Sequence, residues 1–165
     1  GDDVNDIRDL EQMMEEIKRV NAPHNCRIYA IGFSYGGIQL SHYLNKYGRS
    51  HPFRSCVLVS IPYCLHEMKK SLKIWPASII NRISTQGMVK NHLERHKDQI
   101  LKNSTFDFAR ACKSVTSEEW DEYVTLHAHE YKYSSVEHYH ETASPKRLLK
   151  KCVDSITHAV VQRFR

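Results

Sequence analysis

The chain has 165 residues, the length of one domain, and 24 Lys and Arg against 19 Asp and Glu give it a net charge of +5. That excess is spread along the chain with no block of five like charges, which argues against nucleic acid as a partner. No run of 18 apolar residues is present, so no segment of this sequence reads as a membrane-spanning helix, and the 41% hydrophobic content sits near the low end for a globular core.

The start, Gly1-Asp2-Asp3, has neither the charged nor the apolar region of a signal peptide. The missing initiator Met predicts that the sequence begins inside a longer protein. Cysteines stand at 26, 56, 64, 112 and 152, an odd number without a C-x-x-C pair. They read as reduced, mostly buried thiols rather than a disulfide framework or a zinc site.

The first predicted element is a helix over about 6–20, because Ile7, Leu10, Met13, Met14, Ile17 and Val20 recur at helical spacing. Asn21-Ala22-Pro23 ends it. Arg27 to Phe33 (RIYAIGF) is short, apolar and β-prone, a buried strand. A helix follows from about Tyr35 to Lys46, with Ile38, Leu40, Tyr43 and Leu44 on one side and Gly48 as its stop. Cys56 to Ile61 (CVLVSI) is a second buried strand, closed by Pro62. Apolar strands alternating with amphipathic helices predict an α/β fold whose parallel sheet is covered on both faces.

From Leu65 to about Leu149 no strand pattern appears. Trp75-Pro76 breaks the chain, and Ile79 to Leu101 reads as helix with polar interruptions. Thr116 with Glu119 forms a potential capping box, Ser134 with Glu137 another, and Ser144-Pro145 ends the second of these helices. The division expected is a partial core over 1–64, a helical cap over 65–149 and a C-terminal helix over 150–165, whose stripe is Val153, Ile156, Val160 and Phe164.

The chemistry is carried by Gly32-Phe33-Ser34-Tyr35-Gly36, a G-x-S-x-G sequence with a strand running in and a helix running out. Of only six glycines, three fall between 32 and 37. A sharp strand-to-helix turn strains the serine backbone, and glycines two before and two after remove a clash of side chains. Ser34 then stands exposed as a nucleophile at the strand's carboxyl end, and the Tyr35 amide is placed to donate to an oxyanion. The bland alternative is a tight junction with a surface serine.

Three blocks carry a family resemblance: the helix with Asp6 and Asp9 leading into GFSYGGIQLSHYLNKYG; the strand CVLVSIPY followed by helices containing Leu93 and His96; and EEWDEYVTLHAHEYKYSSVEHYHETASPKRL. Together, over about 6–149, they resemble the α/β-hydrolase domain proteins of the eukaryotic phospholipase, carboxylesterase and monoacylglycerol-lipase branch. The resemblance implies a partial α/β-hydrolase fold with a helical lid and a serine esterase acting on lipid or small esters. It implies Ser34 as the acylated nucleophile, no cofactor, and full-length relatives anchored to membranes by a segment not present here. The family's catalytic Asp and His follow the Ser-Pro block, where this chain has KRLLKKCVDSITHAVVQRFR; both are expected outside this chain, as are the upstream strands. Asp154 and His158 have the right order, but four residues apart they lie on one face of a single helix and read as a solvated pair. This chain is therefore expected to hydrolyse esters weakly or not at all. The alternative is a non-catalytic truncated isoform that binds lipid or a protein partner, and acyl transfer is a third reading.

His127, His129, His138 and His140 form two H-x-H pairs that could hold Zn²⁺ or Cu²⁺. On a helix, i and i+2 point about 200° apart, so the pairs are read as cap surface and no metal is expected. Trp75, Trp120 and the tyrosines at 123, 131, 133 and 139 could line an acyl pocket or simply pack the cap. Asn103-Ser104-Thr105 is a glycosylation sequon.

Overall fold

The computed structural model describes residues 6–103, 107–128, 133–148 and 159–162. The chain divides into two compact units, 3–64 with 143–165, and 65–142. It is a mixed α/β protein.

In the first unit, α1 (Arg8–Asn21) opens after Asp6, whose carboxylate accepts the Arg8 amide at 3.1 Å. Asp9 and Glu11 in its first turn and Lys18 and Arg19 in its last complement the helix dipole. The helix ends in a side-chain clamp. Asn21 Nδ2 donates to the Cys26 carbonyl at 2.8 Å, and the Cys26 amide donates to Asn21 Oδ1 at 2.9 Å. β1 (Ile28–Phe33) runs directly into α2 (Ser34–Tyr47), and β2 (Phe53–Val59) lies parallel to β1. α1 and α2 share one face of this pair. Met14, Leu40, Tyr43 and Leu44 bury with Phe53, Cys56, Leu58 and Ile61 in one cluster. Burying side chains of this size contributes about 1.5–3 kcal/mol each. Glu11 ties the helices together, accepting from Lys46 Nζ at 2.6 Å and Tyr47 Oη at 2.8 Å.

Two expectations need correcting. Among the described residues of this unit the sheet is not covered on both faces: Tyr29, Ile31 and Phe33 alternate along β1 to the face away from the helices and are 59%, 62% and 63% exposed. The tail is not helical throughout, because β3 (Ala159–Gln162) pairs parallel with β2 in a sheet of order β1-β2-β3. Ala-Val-Val-Gln carries two β-branched residues in succession, and a free sheet edge gives such a run ladder bonds that outweigh the weak helical stripe. The rest of 150–165, with Asp154 and His158, lies outside the described residues. The segment from 143 clusters with the sheet rather than with the helices assigned as cap. Ser144 and Pro145 are buried, and the Lys146 amide donates to the Tyr63 carbonyl at 3.0 Å.

Among its described residues the second unit is helical: α3 (Leu65–Ser71), α4 (Ala77–Met88) continuing as a π-helical turn over Val89–Glu94, α5 (Lys97–Asn103), α6 (Phe108–Ala111), α7 (Ser117–Trp120) continuing through a π-helical turn over Asp121–Thr125 into α8 (Leu126–Ala128), and α9 (Val136–Ala143). Its core is Val89, Leu93, Ala111, Trp120 and Val124. The capping box of Thr116 and Glu119 forms in full at α7. At α9 the cap is displaced by one residue: Ser135 Oγ, not Ser134, accepts the third helical amide, that of His138, at 3.1 Å.

Candidate active site

β1 ends at Phe33 and α2 begins at Ser34 with no linker. A strand can enter a helix this abruptly only if one residue reverses the backbone, and Ser34 does so with φ +48°. For a non-glycine residue that left-handed conformation costs about 1–2 kcal/mol. Ser34 is exposed, between the exposed Phe33 and Tyr35. Ser60, just past β2, has a similar φ of +51° and turns the chain into Ile61, so β1 and β2 both lead into a strained serine.

The glycines act differently from the expectation. A Cβ on Gly32 would lie 2.6 Å from Gly37 Cα, inside van der Waals contact. A Cβ on Gly37 would strike Ile61 Cγ2 and lie 3.0 Å from the Gly32 carbonyl oxygen. A Cβ on Gly36 would meet nothing within 4 Å. The closest approach is therefore between Gly32 and Gly37, where the first turn of α2 crosses the end of β1; Gly36 adds only its carbonyl oxygen, 3.1 Å from a Cβ on Gly32, and its own Cα faces open space. The signal was present in the sequence as the doubled glycine.

Among the described residues no imidazole or carboxylate hydrogen-bonds Ser34. His42, two turns along α2, directs Nε2 at the Ala143 carbonyl at 3.2 Å. Beside the elbow runs an apolar cavity of about 370 Å³ that Met13, Ile17, Ile31, Phe33 and Gly36 help to line.

The other singled-out residues fall as follows. His138 is exposed and its Nδ1 lies 3.2 Å from Ser134 Oγ, whereas His140 is buried with Nε2 2.8 Å from Asp121 Oδ2. Two residues apart on α9, they face different partners, and no cluster of three metal-ligating side chains occurs among the described residues. His129, Tyr131 and the Ser104-Thr105 part of the sequon lie outside the described residues. Trp120, Tyr133 and Tyr139 are buried packing residues, while Trp75 is 76% exposed. Cys56 is buried, and desolvation pushes its thiol up to about 11; Cys26, by contrast, is exposed.

Sequence reasoning missed a buried charge network in the second unit. Lys69 Nζ sits 2.6 Å from Asp121 Oδ2 and donates to the Ser117 carbonyl at 3.0 Å, and His140 shares the same carboxylate. Lys69 lies on α3 and Asp121 opens the π-helical turn after α7, far apart in sequence, and only tertiary packing brings them together. No helix among the described residues is long and apolar enough to cross a membrane. No family model, no curated protein and no solved structure matches this chain.

Proposed function

We propose that this chain is part of an α/β-hydrolase whose complete form is a serine hydrolase of carboxylic esters, with Ser34 as nucleophile. The observation that carries the reading is the backbone at Ser34: an exposed serine with φ +48° between a parallel strand and the helix it enters. In that reaction Ser34 Oγ bonds to the ester carbonyl carbon while its proton passes to a base. The Tyr35 amide donates to the oxyanion, and the carbon–oxygen bond to the alcohol breaks as the base returns the proton to the leaving oxygen. Water then releases the acid from the acyl-serine. The resemblance of the three sequence blocks supports lipid or small esters as substrates and membrane association of the full-length protein. No described group stands ready to take the Ser34 proton, which supports weak or absent turnover by this chain and favours, as second reading, a form that binds lipid or a protein partner without catalysis.

A test of presentation that needs no base is Ser34→Cys, since a thiol supplies its own thiolate. With a p-nitrophenyl ester, the variant is expected to release one equivalent of nitrophenol beyond wild type, and peptide mass mapping is expected to find the acyl group at position 34. Acylation at Cys26 with none at position 34 would contradict the proposed presentation.

A further inference from the structure

The opposite end of the sheet holds a second, chemically distinct cleft. Asn25, with φ +50°, turns the chain from α1 into β1, and the Asn21 clamp fixes that turn through both backbone groups of Cys26. Across from it, β2 carries a bulge: Ile28 pairs with Phe53 and Tyr29 with Ser55, so Arg54 is the extra residue. Bulges re-aim side chains, and this one sets Arg54 in the lining of the same cleft as Arg27 and Lys18, a space of about 530 Å³.

The arginine charge of this cleft is uncompensated among the described residues. Lys18 Nζ lies 3.1 Å from Glu15, but neither Arg27 nor Arg54 is paired with a carboxylate among the described residues. Two of the carbonyls at the end of α1, which would repel an anion, are already engaged. Lys18 O accepts the Ala22 amide at 2.9 Å, and Asn21 O accepts those of His24 and Asn25 at 2.9 and 2.8 Å. Two permanently charged forks with no internal partner match an anion that offers several oxygens, and guanidinium suits phosphate in a bidentate mode.

We infer that this cleft binds a phosphate group, through Arg27 and Arg54 with Lys18 as auxiliary charge. It lies about 20 Å from Ser34, the length of a six-residue strand, so it is a site separate from the elbow and independent of the hydrolase reading. A soluble phosphoester and a phospholipid headgroup present the same chemistry, and the experiment distinguishes them.

The chain is titrated by NMR with inorganic phosphate and glycerol 3-phosphate at low ionic strength, and its flotation is measured with phosphatidylcholine vesicles with and without phosphatidic acid. Saturable shifts are expected at 21–28 and 52–55. The R27Q/R54Q variant is expected to weaken binding at least about tenfold, the value of one charged hydrogen bond or more. R27K/R54K keeps the charge and loses the forks, so it falls between. R82Q/R95Q, which removes equal charge elsewhere, is expected to change affinity less than about twofold. Saturable binding of the soluble probes assigns a phosphoester; flotation that needs phosphatidic acid, without soluble binding, assigns a headgroup. Absence of both overturns the proposal, and so does an equal loss in R82Q/R95Q, because binding would then follow net charge. Neither guanidinium makes a hydrogen bond or ion pair among the described residues, so circular dichroism of the variants is expected to match wild type.

Discussion

At Ser34 the sequence and the backbone meet most directly, and the glycines around it separate two ways of reading a G-x-S-x-G motif. If the motif were only a consensus, Gly32, Gly36 and Gly37 would be equally sensitive. The structure assigns the crowding to Gly32 and Gly37 alone. Gly32→Ala and Gly37→Ala are therefore expected to destabilise the first unit by about 2–3 kcal/mol each, because the blocking atoms are backbone or a buried isoleucine that cannot withdraw. Gly36→Ala is expected to stabilise it by about 0.5 kcal/mol, since the new methyl meets open space in a helix. Urea unfolding of the three variants checks the ranking; a loss at Gly36 equal to that at Gly32 would contradict it. The glycine cluster was legible in the sequence, but which pair makes contact was not, because contact depends on where Ile61 lands after its own left-handed turn at Ser60.

At the scale of elements, local chemistry was a good guide where the bonds are local. The Thr116 capping box uses residues three apart and forms as written. Glu119 accepts the Val115 and Thr116 amides at 2.7 and 3.0 Å, and the first of these holds its carboxyl below the ordinary value of 4.5. A carboxyl with a lowered folded pKa contributes stability above its unfolded pKa and loses it as pH falls through the folded one. The stability of the 65–142 unit should therefore fall in acid below about pH 4.5, in part through Glu119. Glu119→Gln is expected to cost about 1 kcal/mol at pH 7 and less at pH 3. Thermal unfolding at both values checks this, and an equal cost at both would remove Glu119 as the titrating group. The α9 cap slipped by one residue because two adjacent serines compete for one helix end. The stretch 159–162 became strand because its partner, β2, is a hundred residues away in sequence, beyond any window of periodicity.

At the scale of the molecule, alternation of apolar strands and amphipathic helices was enough to read a parallel sheet with helices, and the loss of that pattern after Cys64 to read a separate helical unit. Coverage of the sheet was not legible: apolar runs say that a strand suits burial, and β1 nevertheless leaves Tyr29, Ile31 and Phe33 open. Nor were the chemical groups that converge across the fold, namely Arg27 with Arg54 in one unit and Lys69, Asp121 and His140 in the other, since each member is unremarkable in its own segment. The hydrolase proposal rests on a serine that is presented for attack with no base in hydrogen-bond contact among the described residues. The measurement that tests it most directly is fluorophosphonate labelling of the folded 165-residue chain beside Ser34→Ala. No labelling that depends on Ser34 is expected above the background of the variant. Labelling that is rapid in wild type and vanishes in Ser34→Ala would contradict it, and would mean that a base within the chain reaches Ser34.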